Sequence, residues 1–412
     1  MQSRRGVVAR FVAWVVVPVG LSAAAGLWAW RDGTARLETS VHVAVAQTAT
    51  RLLARDLAEA RDSLLTHARA LPLAPDAPET LRRAAGGDTL AGLGRGERGL
   101  QLSVVGPGPT PDSVLSATAP FLPGLFRALP AVAPYGVSLY LRGRRALTAG
   151  DAGPDALPDS LLALAAEAPV PLEGFGPAPS VLTAPPASGR PPAVALLTVP
   201  VERALRPASL LLPFVVLAMM GVLALTAAWT VSAADTPAAP RGPAGGPTFQ
   251  RLLVVLVPVF AGLTFLGAED RAWTGEALEA TRMELSRSLG LLRAVGRVGS
   301  AELAAELSGR PAARIERGVL AESTLPDADE RIAELRAPPA NFTAFGRLDT
   351  PRGGFVYASV RTGPASALIL FAPLDHPGHG PFRVRLLLAA LLALAPAAVA
   401  AVRSLPRAGG DA

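Results

Sequence analysis

The chain has 412 residues, half of them hydrophobic, and a formal net charge of +6. All 39 basic residues are Arg, and they are scattered rather than gathered into a stripe with interleaved aromatics, so nucleic acid is excluded as a partner. There is no Cys, which excludes disulfides, thiol nucleophiles and Cys-ligated metals.

Four uncharged apolar stretches divide the chain: residues 11–30, 207–234, 252–268 and 386–402. Each reaches the roughly 17 to 25 residues that a membrane-spanning helix needs. The expectation is therefore an α+β membrane protein with four transmembrane helices and the lipid bilayer as a partner. Arg4, Arg5 and Arg10 precede the first stretch, Arg241 and Arg251 flank the loop between the second and third, and Arg403 and Arg407 follow the fourth. That bias places both termini (1–10 and 403–412) and the Pro/Gly-rich linker 235–251 in the cytoplasm of a bacterial inner membrane. Arg383 and Arg385 count against this orientation. The regions 31–206 and 269–385 become two extracytoplasmic domains. A cleaved signal peptide ending near Ser22 to Gly26 is the alternative for the first stretch.

Within each outer region the order of elements repeats. Residues 19–71 and 259–310 contain no Pro, although the chain has 40. Helix interiors exclude Pro, and apolar residues in both windows step by three or four, so each window predicts a long amphipathic helix. Short strand-like runs follow: "LQLSVV" at Leu100, "GVSLYLRGRRALTAG" at Gly136, "SVLTA" at Ser180 and "AVALLTV" at Ala193. In the second region "FTAFGRL" at Phe342 leads into "GFVYASV" and "SALILFA", joined by the turn "RTGPAS". Each domain thus predicts a long membrane-proximal helix and a small antiparallel sheet.

The two regions read as an internal duplication. Val17-Pro18-Val19 aligns with Val257-Pro258-Val259, and, with a small insertion, "RDGTARLET" at Arg31 with "RAWTGEALEAT" at Arg271. The far ends align as well, each closing on an apolar run, a Pro and an aliphatic residue (Pro200-Val201, Pro373-Leu374). Pro18 and Pro258 are candidate hinges, because a mid-span Pro kinks a helix while neighbours re-satisfy the freed carbonyl.

This layout resembles the extracytoplasmic Cache or PAS-like sensor regions of bacterial transmembrane receptors of the sensor histidine kinase type. The resemblance covers about residues 34–201 and 272–374 and rests on element order and the terminal hairpin. It implies recognition of an unknown small ligand, a homodimer, and signal transfer through helix shifts to a kinase or another membrane signalling partner. The sequence departs from the pattern in carrying two sensor units, and no phosphoacceptor helix, ATP-binding lid or HAMP-like pair follows Val402.

Candidate chemistry is sparse, and neither a cofactor nor an enzymatic activity is expected. "LRGRRA" places Arg142, Arg144 and Arg145 at a strand turn, where guanidinium groups suit an anionic ligand. In the second region Arg347, Asp349, Arg352, Tyr357 and Arg361 gather around the last strands, and Arg347, Tyr357 and Arg361 are the ligand candidates there. "DHPGH" offers Asp375, His376 and His379 as a weak metal set, with a polar loop as the alternative. His42 and His67 fall at solvated or interfacial helix positions. "GGDTLAGLGRGERG" at Gly86 has no Gly-Lys-Ser/Thr and is not a phosphate loop. The functions that remain are a signal-sensing receptor module, a non-catalytic accessory or scaffold subunit of an envelope complex, and, least supported, a membrane enzyme or transporter.

Overall fold

The computed structural model describes residues 17–202 and 246–391, with breaks at 75, 98, 112, 129–134, 151–152, 186–192, 327–330, 333–334, 336–337, 340–341, 352, 377 and 389–390. It is an α+β structure. One compact unit comprises Met1–Leu37, Leu205–Leu278 and Asp375–Ala412, and the other Glu38–Ala204 and Glu279–Leu374.

Two long helices dominate. Helix α1 is Val17–Thr66, and its counterpart Gly246–Ala294 is here named α5. From Val19 and from Val259 onward both run through the windows that lack Pro. The second window is not one helix, however: α5 ends at Ala294, and Gly296 takes the left-handed conformation (φ 75°) beyond it. A separate helix α6, Ala301–Ser308, then starts on Ser300, whose hydroxyl accepts from the Glu302 and Leu303 amides, and stops at left-handed Gly309.

The four transmembrane helices expected from the apolar stretches are corrected. Among the described residues, no helix is long and apolar enough to cross a membrane. The multi-pass inner-membrane placement and the membrane and extracytoplasmic assignments go with them. Stretch 207–234 lies outside the described residues, as do 11–16 and most of 386–402. Where the described chain leaves these stretches, charge and internal packing take over. Trp30, the last residue of the first apolar stretch, is buried and meets Phe382 edge to face at 6.1 Å. Arg383 and Arg385, which opposed the orientation, are ion-paired with Asp270 and Asp32. Pro18 is the second residue of the described helix α1 and Pro258 lies inside α5. Without spans to tilt, the hinge reading loses its basis, and the two prolines remain as marks of the duplication.

The strands form three antiparallel sheets. The first, absent from the sequence reading except for one strand, has the order β1-β4-β3-β2. Its strands are β1 Arg69–Pro72, β2 Leu90–Gly96, β3 Gly99–Pro107 and β4 Ser113–Pro120, with helix α2, Glu79–Ala85, between β1 and β2. A short helix α3, Gly124–Ala128, leads out of it.

The second sheet contains β5 Tyr135–Leu141, β6 Arg144–Ala149, β7 Val170–Leu172, β8 Ser180–Thr183 and β9 Val194–Pro200, in the order β6-β5-β9-β8-β7. Helix α4, Asp159–Glu167, connects β6 to β7. The third contains β10 Ala312–Glu316, β11 Val319–Ser323, β12 Thr343–Thr350, β13 Gly353–Gly363 and β14 Ser366–Pro373, in the order β11-β10-β14-β13-β12. Counted from its own first strand, each of these two sheets reads two-one-five-four-three. The last strand lies beside the first in the centre, and a hairpin forms each edge.

The likeness reaches single residues. In the first hairpin of each sheet a two-residue turn joins the strands, Arg142-Gly143 in one and Arg317-Gly318 in the other. All four residues have positive φ, at 47°, 76°, 50° and 78°. This is the backbone of a type I′ turn, whose twist matches the flanking strands. Three residues before the turn glycine, both hairpins carry a bulge. One register shift falls between Leu139 and Tyr140, the other between Arg314 and Ile315. Matching the turns puts these shifts at the same place. The central strands then correspond too, since Tyr140 faces Ala195 and Ile315 faces Ala367.

That correspondence pairs Pro200 with Ala372 and moves the sequence alignment of Pro200 with Pro373 by one residue. It also equates the cores. Tyr140, Leu197 and Val199 pack with Leu157 and Leu162 from the segment after β6. Ile315, Ile369 and Phe371 pack with Leu325 and Ile332 from the segment after β11. The strands are buried on both faces, and alternate residues that share one face make up each set.

Candidate functional site

The long helices meet at equivalent positions. Pro18 and Pro258 are 240 residues apart in the sequence alignment. In the first unit, buried Gly33 lies against Trp273, also 240 residues on: a Cβ on Gly33 would come within 3.0 Å of Trp273 Nε1. In the second unit, Thr48 Oγ1 and Ser288 Oγ lie 3.5 Å apart, again 240 residues on, and both side chains are buried. The same interval of 240 residues thus recurs in each unit, and at Gly33 and Trp273 it is also the interval of the sequence repeat. Toward the ends of the helices, Arg297 bridges to Asp56 Oδ1 at 3.3 Å and to Glu59, and Asp56 Oδ2 accepts from the Gly124 amide at 2.7 Å. Arg297 holds the Glu59 carboxyl below its ordinary range.

Beside this contact lies a buried polar group that the sequence did not reveal. His42, expected at a solvated or interfacial helix position, is fully buried on α1. Its Nδ1 lies 3.1 Å from the Tyr135 hydroxyl at the head of β5, and Arg287 of α5 donates to the same hydroxyl at 2.5 Å. The Arg287 guanidinium also sits 5.1 Å from the centre of the Tyr135 ring. Burial lowers the His42 imidazole to about 4, with the Arg287 charge adding to the effect. Burial likewise pushes the Tyr135 hydroxyl up to about 12, against the pull of Arg287. Three elements, one from each copy's helix and one from a sheet, therefore share one desolvated hydroxyl. His67, by contrast, is exposed and bonds locally to the Ser63 carbonyl at 2.9 Å.

The arginine turn separates into two roles. Arg142 is exposed and occupies the left-handed turn position, as Arg317 does in the other copy, so it serves the hairpin. Arg144 and Arg145 follow on β6 and line an open groove of about 580 Å³ with Arg95 of β2, Thr148 and Asp155. Arg145 donates to the Gly153 carbonyl at 2.9 Å and pairs with Asp155. Arg95 lies in the Gly-rich run at Gly86, to which the sequence assigned no role, and the hairpin formed by β2 and β3 brings it to this edge.

The second set of ligand candidates is not brought together. Arg347 is exposed and bonds Asp349 at 2.9 Å within its own strand. Arg361 closes its own hairpin, donating to the Gly363 carbonyl at 2.9 Å and to Pro364. Tyr357 faces Gly346 across β12 and β13, while Arg347 pairs with Val356, so the two side chains leave opposite faces. Arg352 lies outside the described residues.

The "DHPGH" segment forms a structural cluster in the first unit. His379 Nε2 lies 2.8 Å from Asp270 Oδ1, and Arg383 grips the same carboxylate with bonds of 2.7 and 2.8 Å. These partners lower the Asp270 carboxyl to about 2, the Arg383 hydrogen bond most of all. Trp273 stacks on His379 at 5.1 Å and on Phe382 at 5.0 Å. His376 turns its Nδ1 back to the Gly378 amide at 3.1 Å, and Asp375 is exposed. Among the described residues no three His, Cys, Asp or Glu side chains converge as a metal site.

No protein family, curated protein or solved structure matches the chain.

Proposed function

We propose that the chain is a signal-sensing module in which two sensor-like copies are paired within one polypeptide. The observation that carries this reading is the repeated architecture: a long helix followed by a sheet of order two-one-five-four-three, with the same turn and bulge in both copies. It is the layout that the Cache or PAS-like resemblance calls for. The in-register contacts at Gly33–Trp273 and Thr48–Ser288 supply, between copies of one chain, the helix pairing that the resemblance assigns to two chains of a homodimer.

The mechanism follows from packing. A ligand that favours one placement of a sheet also favours one placement of the helix packed on it. Thr50 Oγ1 of α1 contacts Thr183 Oγ1 of β8 at 2.5 Å, so helix and sheet are fastened at a buried point. Because α1 meets α5 at equivalent residues, a shift of one helix must be accommodated by the other. Tyr135 adds a polar coupling, since its single hydroxyl answers to His42 on one helix and Arg287 on the other. The output partner that the resemblance implies is a histidine-kinase-type region.

A thermal-shift screen of small metabolites on the full chain, followed by hydrogen exchange, tests the reading. A ligand that raises Tm is expected to change exchange protection in both 38–66 and 279–294. If no compound raises Tm, or every change stays at the binding site, the sensing role fails and a non-catalytic scaffold is the better reading.

A further inference from the structure

The geometry points to a binding site for a small polyanion in the groove between β2 and β6, present in the first copy alone. Arg95 approaches from the four-stranded sheet, and Arg144 and Arg145 from the five-stranded one. Arg145 is committed to Asp155 and to the Gly153 carbonyl, which fixes its guanidinium. Arg95 and Arg144 face the groove with no ion pair among the described residues, and the one carboxylate of the lining, Asp155, is the partner of Arg145. Two like charges at one concave surface attract an anion and repel each other in its absence. Guanidinium forks select oxygen pairs of the carboxylate or phosphate kind. Thr148 adds a hydroxyl, while Leu147 and Ala156 give the floor an apolar part. The chemistry recognised is therefore two or more anionic oxygen groups on a small carbon or phosphate skeleton, spanning the two sheets.

The comparison between copies sharpens this. The turn arginine is kept in both hairpins, at Arg142 and Arg317. The two positions after the turn glycine, however, are Arg144 and Arg145 in the first copy and Val319 and Leu320 in the second. The four-stranded sheet that supplies Arg95 falls between the long helix and the five-stranded sheet of the first copy. In the second copy only α6 occupies that interval. The fold of the hairpin thus requires neither Arg144 nor Arg145, and both are present where a third arginine can join them. Binding itself stands on the groove, and only its role as a signal rests on the sensing function proposed above.

Isothermal titration of the full chain with citrate and, separately, with pyrophosphate tests the site and distinguishes carboxylate from phosphate chemistry. One-site binding of at least one probe is expected. Arg95→Gln and Arg144→Gln are each expected to weaken it about tenfold or more, the loss of a charge-assisted bond. Arg142→Gln and Arg317→Gln, outside the groove, are expected to leave it unchanged. Unaltered melting curves establish that the variants fold. Absence of binding to both probes, or equal weakening by Arg142→Gln, overturns the site. Binding at the groove with no change in helix exchange supports the site and counts against the sensing role; a sensed ligand that is not anionic does the reverse.

Discussion

Thr48 and Ser288 place their hydroxyls 3.5 Å apart in a buried contact, and 240 residues separate them. The same interval separates Pro18 from Pro258 and Gly33 from Trp273. The two helices thus keep one stagger, and near Gly33 that stagger is the interval of the sequence repeat. The contact is what a two-fold related pair makes where equivalent residues face each other, as in an isologous interface, here within one chain.

Close approach at Gly33 gives the first prediction. An Ala there would press its Cβ to 3.0 Å from Trp273 Nε1 and 3.2 Å from Phe382 Cδ2. Trp273 is held by stacking on His379 and Phe382 and has little room to yield. Overpacking of about 1–3 kcal/mol is expected to exceed the gain of roughly 1 kcal/mol from replacing a helical Gly. Gly33→Ala therefore lowers Tm. Gly275→Ala on α5, where a Cβ meets open space, raises it. Thermal melts of the two variants check both signs.

The hairpin turns give the second. Arg142 and Arg317 hold φ of 47° and 50°, a region that costs an ordinary side chain energy and that Asn tolerates. Arg142→Asn and Arg317→Asn are each expected to stabilise by about 0.5–1 kcal/mol in chemical denaturation. A loss of stability in both would remove the shared-turn argument.

His42 sets an acid limit. Its folded-state value of about 4 lies below the ordinary 6.5, so the unfolded chain binds the proton more readily between them. The contribution is full above 6.5 and is lost as pH falls through the window toward 4. Denaturation midpoints at pH 7 and pH 5 are expected to differ, and His42→Gln is expected to reduce the difference.

Glu269 has the opposite sign. It is buried, and burial raises its carboxyl to about 7 from 4.5. The folded state holds the proton more tightly, so this contribution is present below about 4.5 and lost as pH rises through 7. Glu269→Gln is expected to stabilise the protein at pH 8 more than at pH 5. An equal effect at both values would show that Glu269 does not titrate in this range.

The sequence disclosed what depends on local pattern. Pro exclusion marked α1 and α5, and the alternation in "GFVYASV" and "SALILFA" marked β13 and β14 with their turn. The repeated Pro gave the interval at which the helices meet. It did not disclose the four-stranded sheet, because β2 is "LAGLGRG" and β4 ends "SATAP", where small residues suppress any strand signal. His42 was misplaced for another reason: helical spacing puts it next to Val41 and Val45 but says nothing of Tyr135, 93 residues away. The apolar stretches misled in the same manner, since an Ala-rich composition makes runs of low polarity without showing what covers Trp30.

The direct test of the central claim is oxidative cross-linking of Thr48→Cys/Ser288→Cys in the full chain, which has no other Cys. Pairing of the two copies within one polypeptide predicts rapid disulfide formation at monomer mass, and little in Thr48→Cys/Ser286→Cys, whose second residue points away from the contact. A covalent dimer as the main product, or equal cross-linking of both pairs, would contradict it.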